Sequence, residues 1–256
     1  GAGAKEAPCL AVIDAAPTRA ELMQSPKVAL VGKGIVFDSG GYDLKGHESM
    51  ATMRTDKCGA VNLGGALALA LKRGLKTHVR LYLACAANLV SADALVPGDI
   101  ITYEGLNPGD EELTVEVNNT DAEGRLILAD GILHAVRSKP VWLLTAATLT
   151  GAAKVALGRE RCALFTRDNL APRELINCFK ACGEGVWQLP YSANDRRFLR
   201  SRRAQLCNSG HGEGQPGAAV ASRFLGEFVP AAQRWVHLDM ASAYLPEGGT
   251  YLAAGP

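Results

Sequence analysis

The chain has 256 residues, 48% of them hydrophobic and 21% charged, with a formal net charge of +1. Those values suit an ordinary folded protein, and the near-neutral balance excludes a global electrostatic case for a nucleic-acid or acidic partner. No run of about 18 apolar residues occurs, so no membrane span is expected.

In chain order, VALVG (28–32) reads as a strand. CGAVNLGGALALALKRG (58–74), rich in Ala and Leu and closed by basic residues and Gly74, reads as a helix. VRLYLACAA (79–87), IITYEG (100–105) and LTVEV (113–117) read as strands, with a turn-rich LNPGDEE between the last two. GRLILADGILHAVR (124–137) is a predicted helix, VWLLTAA (141–147) a buried strand and LTGAAKVAL (149–157) a helix. CALFTR (162–167) reads as a strand and APRELINCFKACG (171–183) as a helix. GHGEGQPG (210–217) is a predicted loop, GAAVASRFLGEFV (217–229) a helix and WVHLDMA (235–241) a last strand. Strands alternating with helices predict a three-layer α/β/α fold with a mixed, largely parallel sheet. No internal repeat or linker interrupts the chain, so residues 1–256 are expected to form a single domain. Such sheets place their sites at the carboxyl ends of strands.

Seven cysteines are scattered, with no CxxC. Buried free thiols in a reducing compartment are expected rather than a disulfide framework. With no secretory signal at the N-terminus, the expected location is cytoplasmic.

The unusual residues gather in two segments. NNTDAEGRL (118–126) spaces Asp121, Glu123 and Arg125 two apart, so an extended backbone would set the two carboxylates on one face, with Arg125 beginning the next helix or lying beside it. Helix capping by Asp121 is the competing reading. VGKGIVFDSGGYDLKGHESMATMRTDKCGA (31–60) carries Lys33 directly after a strand, Asp38 before a Ser-Gly-Gly turn, then Lys45, then Asp56 before a helix. There the competing readings are an N-cap for Asp56 and solvated surface positions for both lysines. If Asp38, Asp56, Asp121 and Glu123 converge, they repel one another and raise each other's pKa, and two divalent cations would balance them. An oxygen-rich set suits Mn2+, Mg2+ or Zn2+. The five histidines (47, 78, 134, 211 and 237) lack metal-ligand spacing and are expected on the surface or in the core.

KGIVFDSGG (33–41), the Lys45–Asp56 spacing, NTDAEGRL (119–126) and ATLTGA (147–152) together resemble the leucyl aminopeptidase family of metallopeptidases. GGYDLK and GDIITY look most like its bacterial peptidase B branch, and the resemblance runs from about Lys27 to the C-terminus. It implies a pair of divalent metal ions, Mn2+ or Zn2+, with Mg2+ a further option in the exchangeable site. The tighter site would use Lys33, Asp38, Asp56 and Glu123, and the exchangeable one Asp38, Asp121 and Glu123. The pair would share a water or hydroxide as nucleophile. Lys45 would polarise the scissile carbonyl, and Arg125 would hold a bicarbonate ion that moves the proton. Met53, Thr148 and Gly151 would line the pocket for the first side chain, with Leu149 offering its carbonyl. The implied substrate is a peptide with a free N-terminus, and the implied assembly is a hexamer. A lysine must be neutral to ligate a metal, which from the reference pKa costs roughly 4 kcal/mol at neutral pH and which a dication can offset.

Three departures stand out. The family's DMGGA is here Asp56-Lys57-Cys58-Gly59-Ala60. The family's N-terminal domain is expected to be missing, and the chain is expected to stop at YLAAGP, short of a final helix. Two rival readings remain: a catalytically impaired or structural relative, and a DNA-binding member using the basic run Arg196–Arg203. With its neutral charge the chain is not expected to bind nucleic acid. Nucleotide binding at Gly32-Lys33-Gly34 is discarded, because neither GxGxxG nor a P-loop is present.

Overall fold

The computed structural model describes residues 4–105, 110–167 and 171–243. Strand β1 (Cys9–Ala15) and a short helix α1 (Arg19–Leu22) lead to β2 (Val28–Asp38). A one-turn helix α2 (His47–Met50) precedes α3 (Cys58–Lys72), β3 (Val79–Asn88), β4 (Ile100–Tyr103) and β5 (Leu113–Glu116). Then come α4 (Gly124–Arg137), β6 (Trp142–Ala147), α5 (Gly151–Leu157), β7 (Cys162–Thr166), α6 (Ala171–Ala181) and β8 (Val186–Gln188). The last elements are β9 (Leu206–Cys207), α7 (Gly217–Glu227) and β10 (Arg234–Asp239).

Seven strands form one sheet in the order β1-β3-β2-β6-β10-β7-β8. Its centre, from β3 to β10, is parallel, while β1 and β7 run antiparallel to their inner neighbours. Neighbouring residues of a strand point to opposite faces. A methyl group on Gly32 of β2 would meet the Ala60 Cα of α3 at 2.6 Å, whereas one on Gly131 of α4 would meet Val31 at 2.6 Å. Helices α3 and α4 therefore cover opposite faces, and the mixed α/β arrangement with flanking helices is as expected.

Each face has its own core. Val31, Leu143 and Trp235 pack with Leu128 and Ile132 of α4 and Phe224 of α7. Leu81, Leu164 and Val236 pack on the other side with Leu63 and Leu67 of α3. Fully burying one such side chain stabilises by roughly 1.5–3 kcal/mol. That apolar grip holds the strand ends in place.

Several sequence expectations need correction. The predicted strands at 100–105 and 113–117 leave the main sheet and form a separate three-stranded one with β9. The 121–125 stretch is not extended: Thr120–Ala122 form a 3-10 turn and α4 begins at Gly124. Helix α5 starts at Gly151 rather than 149, because the Thr150 hydroxyl caps it by accepting from Ala153 N at 3.1 Å. All seven cysteines are free, but only Cys58 and Cys207 are buried; Cys9, Cys178 and Cys182 are exposed. Residues 106–109 of the predicted turn, and YLAAGP, lie outside the described residues.

His237 sits at the centre of β10 with no exposure. Its Nδ1 lies 2.9 Å from Thr145 Oγ1, and Nε2 has no partner among the described residues. Burial, opposed by the Thr145 contact and reinforced by the Arg125 charge, pushes its pKa down to about 3. An unfolded chain takes up this proton near pH 6.5, the folded one does not, so acid destabilises the fold between those values. We expect wild-type stability to fall relative to His237→Gln as pH drops from 6.5 to 4, with a slope approaching about 1.4 kcal/mol per unit. Urea titrations at pH 7, 5 and 4 measure it, and parallel pH dependences would refute the assignment.

Candidate active site and metal centre

The site lies where β2, β6 and β10 end. Lys33, a β2 residue only 3% exposed, turns its ammonium among acceptors. Nζ lies 2.7 Å from Asp56 Oδ2, 3.0 Å from Glu123 Oε1 and 3.1 Å from the Thr148 carbonyl. It reaches them by crossing the start of α4, where a methyl group on Gly124 would lie 2.5 Å from Nζ. Burial works against the Lys33 charge, but Asp56, Glu123 and Asp38 outweigh it and raise the pKa. Asp56 is steadied by a 2.7 Å bond from the Thr148 hydroxyl.

Asp38 ends β2, and its turn is welded to the 118–123 segment. Asp38 Oδ1 accepts from Gly40 N at 2.9 Å and from Asn88 Nδ2 at 2.8 Å. The same Asn88 amide donates to the Thr120 carbonyl. Gly40 and Gly41 adopt φ of +88° and +67°, which glycine tolerates without steric cost. Their turn brings Asp43 to Thr120, whose backbone N–H donates to Asp43 Oδ2 at 2.6 Å and whose hydroxyl donates to Gly40 O at 2.7 Å. From the other side Asn208, fully buried, donates to the carbonyls of Asn119 and Ala122 and accepts from the N–H groups of Asn118 and Asn119. Two asparagines thus clamp the turn that presents Asp121 and Glu123.

Asp38, Asp121 and Glu123 each offer an oxygen within 4.8 Å of the others. Asp56 joins them through the shared Lys33 ammonium. Glu123 is buried, which raises its pKa; Lys33 counteracts this and Asp38 and Asp56 add to it, leaving a value of about 7. Its Oε2 is buried without a partner among the described residues. Three converging carboxylates with one orphaned buried oxygen fit a hard divalent cation.

Lys45 pairs with Asp38 at 2.9 Å and with Asp121 Oδ1. Burial opposes its charge, but both carboxylates win and its pKa is raised. Arg125 is buried and donates to the Asn208 carbonyl at 2.9 Å, while its Nε has no partner among the described residues. Burial lowers its pKa to about 10 against the pull of Glu123 and Asp239, so it stays cationic at neutral pH. A cavity of about 420 Å³ opens here, lined by Lys33, Asp38, Lys45, Met53, Asp56, Asp121, Arg125, Thr148, Leu149 and Gly151. Glu123 alone of the predicted site residues lies behind this lining.

The competing local readings fail on contacts. Asp56 makes no cap bond to α3, and it is Asn119, not Asp121, that caps the 3-10 turn. Neither lysine is solvated. Lys57 turns away to donate to the Arg54 carbonyl, and Cys58 is simply buried. Sequence reasoning missed Asn88, Asn208 and Asp239. Asp239 is wholly buried at the end of β10 and accepts from Leu149 N, Thr150 N and the Thr150 hydroxyl, shaping the bend after β6. A carboxylate closing an apolar strand was its available signal; the two asparagines offered none.

Residues 1–254 match the catalytic domain of the cytosol aminopeptidase family. The chain belongs to the cytosol aminopeptidase family. It is 46% identical over 246 residues to Peptidase B of Pectobacterium carotovorum subsp. carotovorum (strain PC1), an overlap covering 95% of this chain and 55% of that protein. It is 44% identical over 257 aligned residues to Peptidase B of Klebsiella pneumoniae (strain 342), covering 100% of this chain and 58% of that one. Among solved structures of similar fold, the bottromycin maturation enzyme BotP in complex with Mn superposes with a TM-score of 0.86 at 35% identity, over 97% of this chain and 52% of BotP. Cytosol aminopeptidase from Coxiella burnetii gives 0.84 at 33% identity, over 93% and 50%. The chain spans about half the length of these cytosol aminopeptidase family relatives.

Gly124→Ala tests the Lys33 geometry. We expect Mn2+ affinity, measured by calorimetry, to fall about ten-fold or more, as when a supporting residue of a metal site is lost. An unchanged affinity would show that Lys33 does not need this path.

Proposed function

We propose that this chain carries the catalytic centre of a two-metal aminopeptidase that removes the N-terminal residue of peptides. The observation that supports it most is the convergence of Asp38, Asp121 and Glu123 beside the buried Lys33 and the partly buried Lys45, with Glu123 Oε2 unpartnered among the described residues. Lys33, Asp38, Asp56, Asp121 and Glu123 would hold two divalent cations, which supply Lewis-acid polarisation and an acidified water when bound. The Mn carried by BotP makes Mn2+ the first cation to test, with Zn2+ and Mg2+ after it. The carboxylates raise the Lys33 pKa, so ligation there would require a bound cation to displace the ammonium proton.

The chain's own residues divide the remaining work. Lys45 keeps its ammonium because Asp38 and Asp121 stabilise it, and it donates to the oxygen that becomes negative when the scissile carbonyl is attacked. Arg125, tethered by Asn208, retains donors for a planar anion such as bicarbonate, which would accept the proton of the attacking water. Met53, Thr148, Leu149 and Gly151 wall the cavity that would receive the first side chain, and Gly151 leaves open space where a Cβ would stand. Homo-oligomerisation as a hexamer and a cytoplasmic location belong to the same reading. The described residues contain no helix long and apolar enough to cross a membrane. The basic run is a weaker basis for DNA binding: Arg196 pairs with Glu227 at 3.0 Å, Arg203 with Glu116 at 3.5 Å, and Arg197 lies over Phe198.

Leucine p-nitroanilide hydrolysis tests this reading. We expect turnover with Mn2+, none with chelator, and none on the acetyl-blocked substrate. Asp121→Ala should abolish turnover and lower metal content, while Lys45→Ala should reduce kcat about 10²–10³-fold. An unchanged rate in Asp121→Ala would end the proposal.

A further inference from the structure

Cys9 and Cys85 stand opposite each other in the antiparallel pair of β1 and β3. Directly opposed residues of such a pair have Cα atoms about 4.5–5.5 Å apart and side chains on one face. A disulfide requires about 4.4–6.8 Å between Cα atoms, so the register already supplies the spacing. The two residues face each other across the pair, and burial together with the facing Cys9 raises the Cys85 pKa. Cys9 is exposed and Cys85 half-buried.

The other five cysteines lack this arrangement. Cys58 and Cys207 are buried, and burial pushes the Cys162 thiol up to about 12. Cys178 is exposed on α6 and Cys182 is exposed one residue past its end, its N–H still bonded to the Cys178 carbonyl; residues four apart in such helical geometry hold their Cβ atoms about 5–6 Å apart, beyond the roughly 3.5–4.5 Å of a disulfide.

We propose that Cys9 and Cys85 form a redox-modification site, closing a cross-strand disulfide when the chain meets a low-molecular-weight disulfide. The exposed Cys9 thiolate attacks one sulfur of the reagent, forms a mixed disulfide and expels one thiolate. The Cys85 thiolate then attacks Cys9 Sγ and expels the second. The two protein thiols lose two protons and two electrons, and the reagent becomes two thiols. The bond staples the edge strand β1 to β3, whose far end carries the Asn88 that supports Asp38. Cys85 Sγ also rests 2.9 Å from where a Gly34 Cβ would stand, against the β2 backbone one residue past Lys33.

Incubating the 256-residue chain with glutathione disulfide, then digesting without reductant for mass spectrometry, tests the site. The expected product has lost two hydrogens and contains a Cys9–Cys85 linked peptide, reversed by dithiothreitol. Cys85→Ser should stop at a glutathione adduct on Cys9, and Cys9→Ser should yield no internal link at Cys85. The oxidised chain should melt above the reduced one, a difference that vanishes in Cys9→Ser. A persistent Cys9 adduct with Cys85 free in the unsubstituted chain, a bridge between Cys178 and Cys182 instead, or an oxidised form that melts no higher would overturn the proposal.

Discussion

Carboxylates that repel one another are held together by a framework that gives them no room to separate. Asp38 and Asp56 sit beside elements whose apolar faces fill both cores, and Asp121 and Glu123 ride on a turn clamped by Asn88 and Asn208. Burial makes each ionised form costly, and mutual repulsion adds to it, as the raised pKa values of Asp56, Asp121 and Glu123 record. Lys33 and Lys45 meet part of that cost. Glu123 Oε2 is left with its demand unmet among the described residues. A centre tensioned in this way is predisposed to take up positive charge without first rearranging its backbone.

Much of the framework was legible because its elements bury one face. Helix α4 runs from 124 to 137 as its apolar spacing predicts, and β2, β3, β6 and β10 fall on the runs that read as strands. Strand β1 was not seen, since CLAVIDA is exposed at most positions and shows no buried alternation. Strands β8 and β9 have three and two residues, too few for any period to register. Short strands of this kind exist only because a partner is already in place.

At the site, residue type and spacing pointed to Lys33, Asp38, Lys45, Asp56, Asp121, Glu123 and Arg125, and the fold brings all seven together. Asp121 and Glu123 converge through a 3-10 turn entering a helix, not by strand alternation. The supporting amides were illegible for a different reason. Asn208 meets Asn119 from 89 residues away, and Asn88 meets Asp38 from 50, so no local pattern marks either.

Thr148 joins two things usually considered apart. Its carbonyl receives Lys33 and its hydroxyl supports Asp56, while the next two residues are fastened to Asp239 and form the cavity wall. Wall and carboxylate nest are therefore one mechanical piece on this side. Met53, also on the cavity wall, begins the 3-10 turn that ends at Asp56, and its carbonyl accepts from the Asp56 N–H at 3.4 Å. A side-chain change at Thr148 therefore reaches Asp56 directly, whereas one at Met53 reaches it only through the backbone.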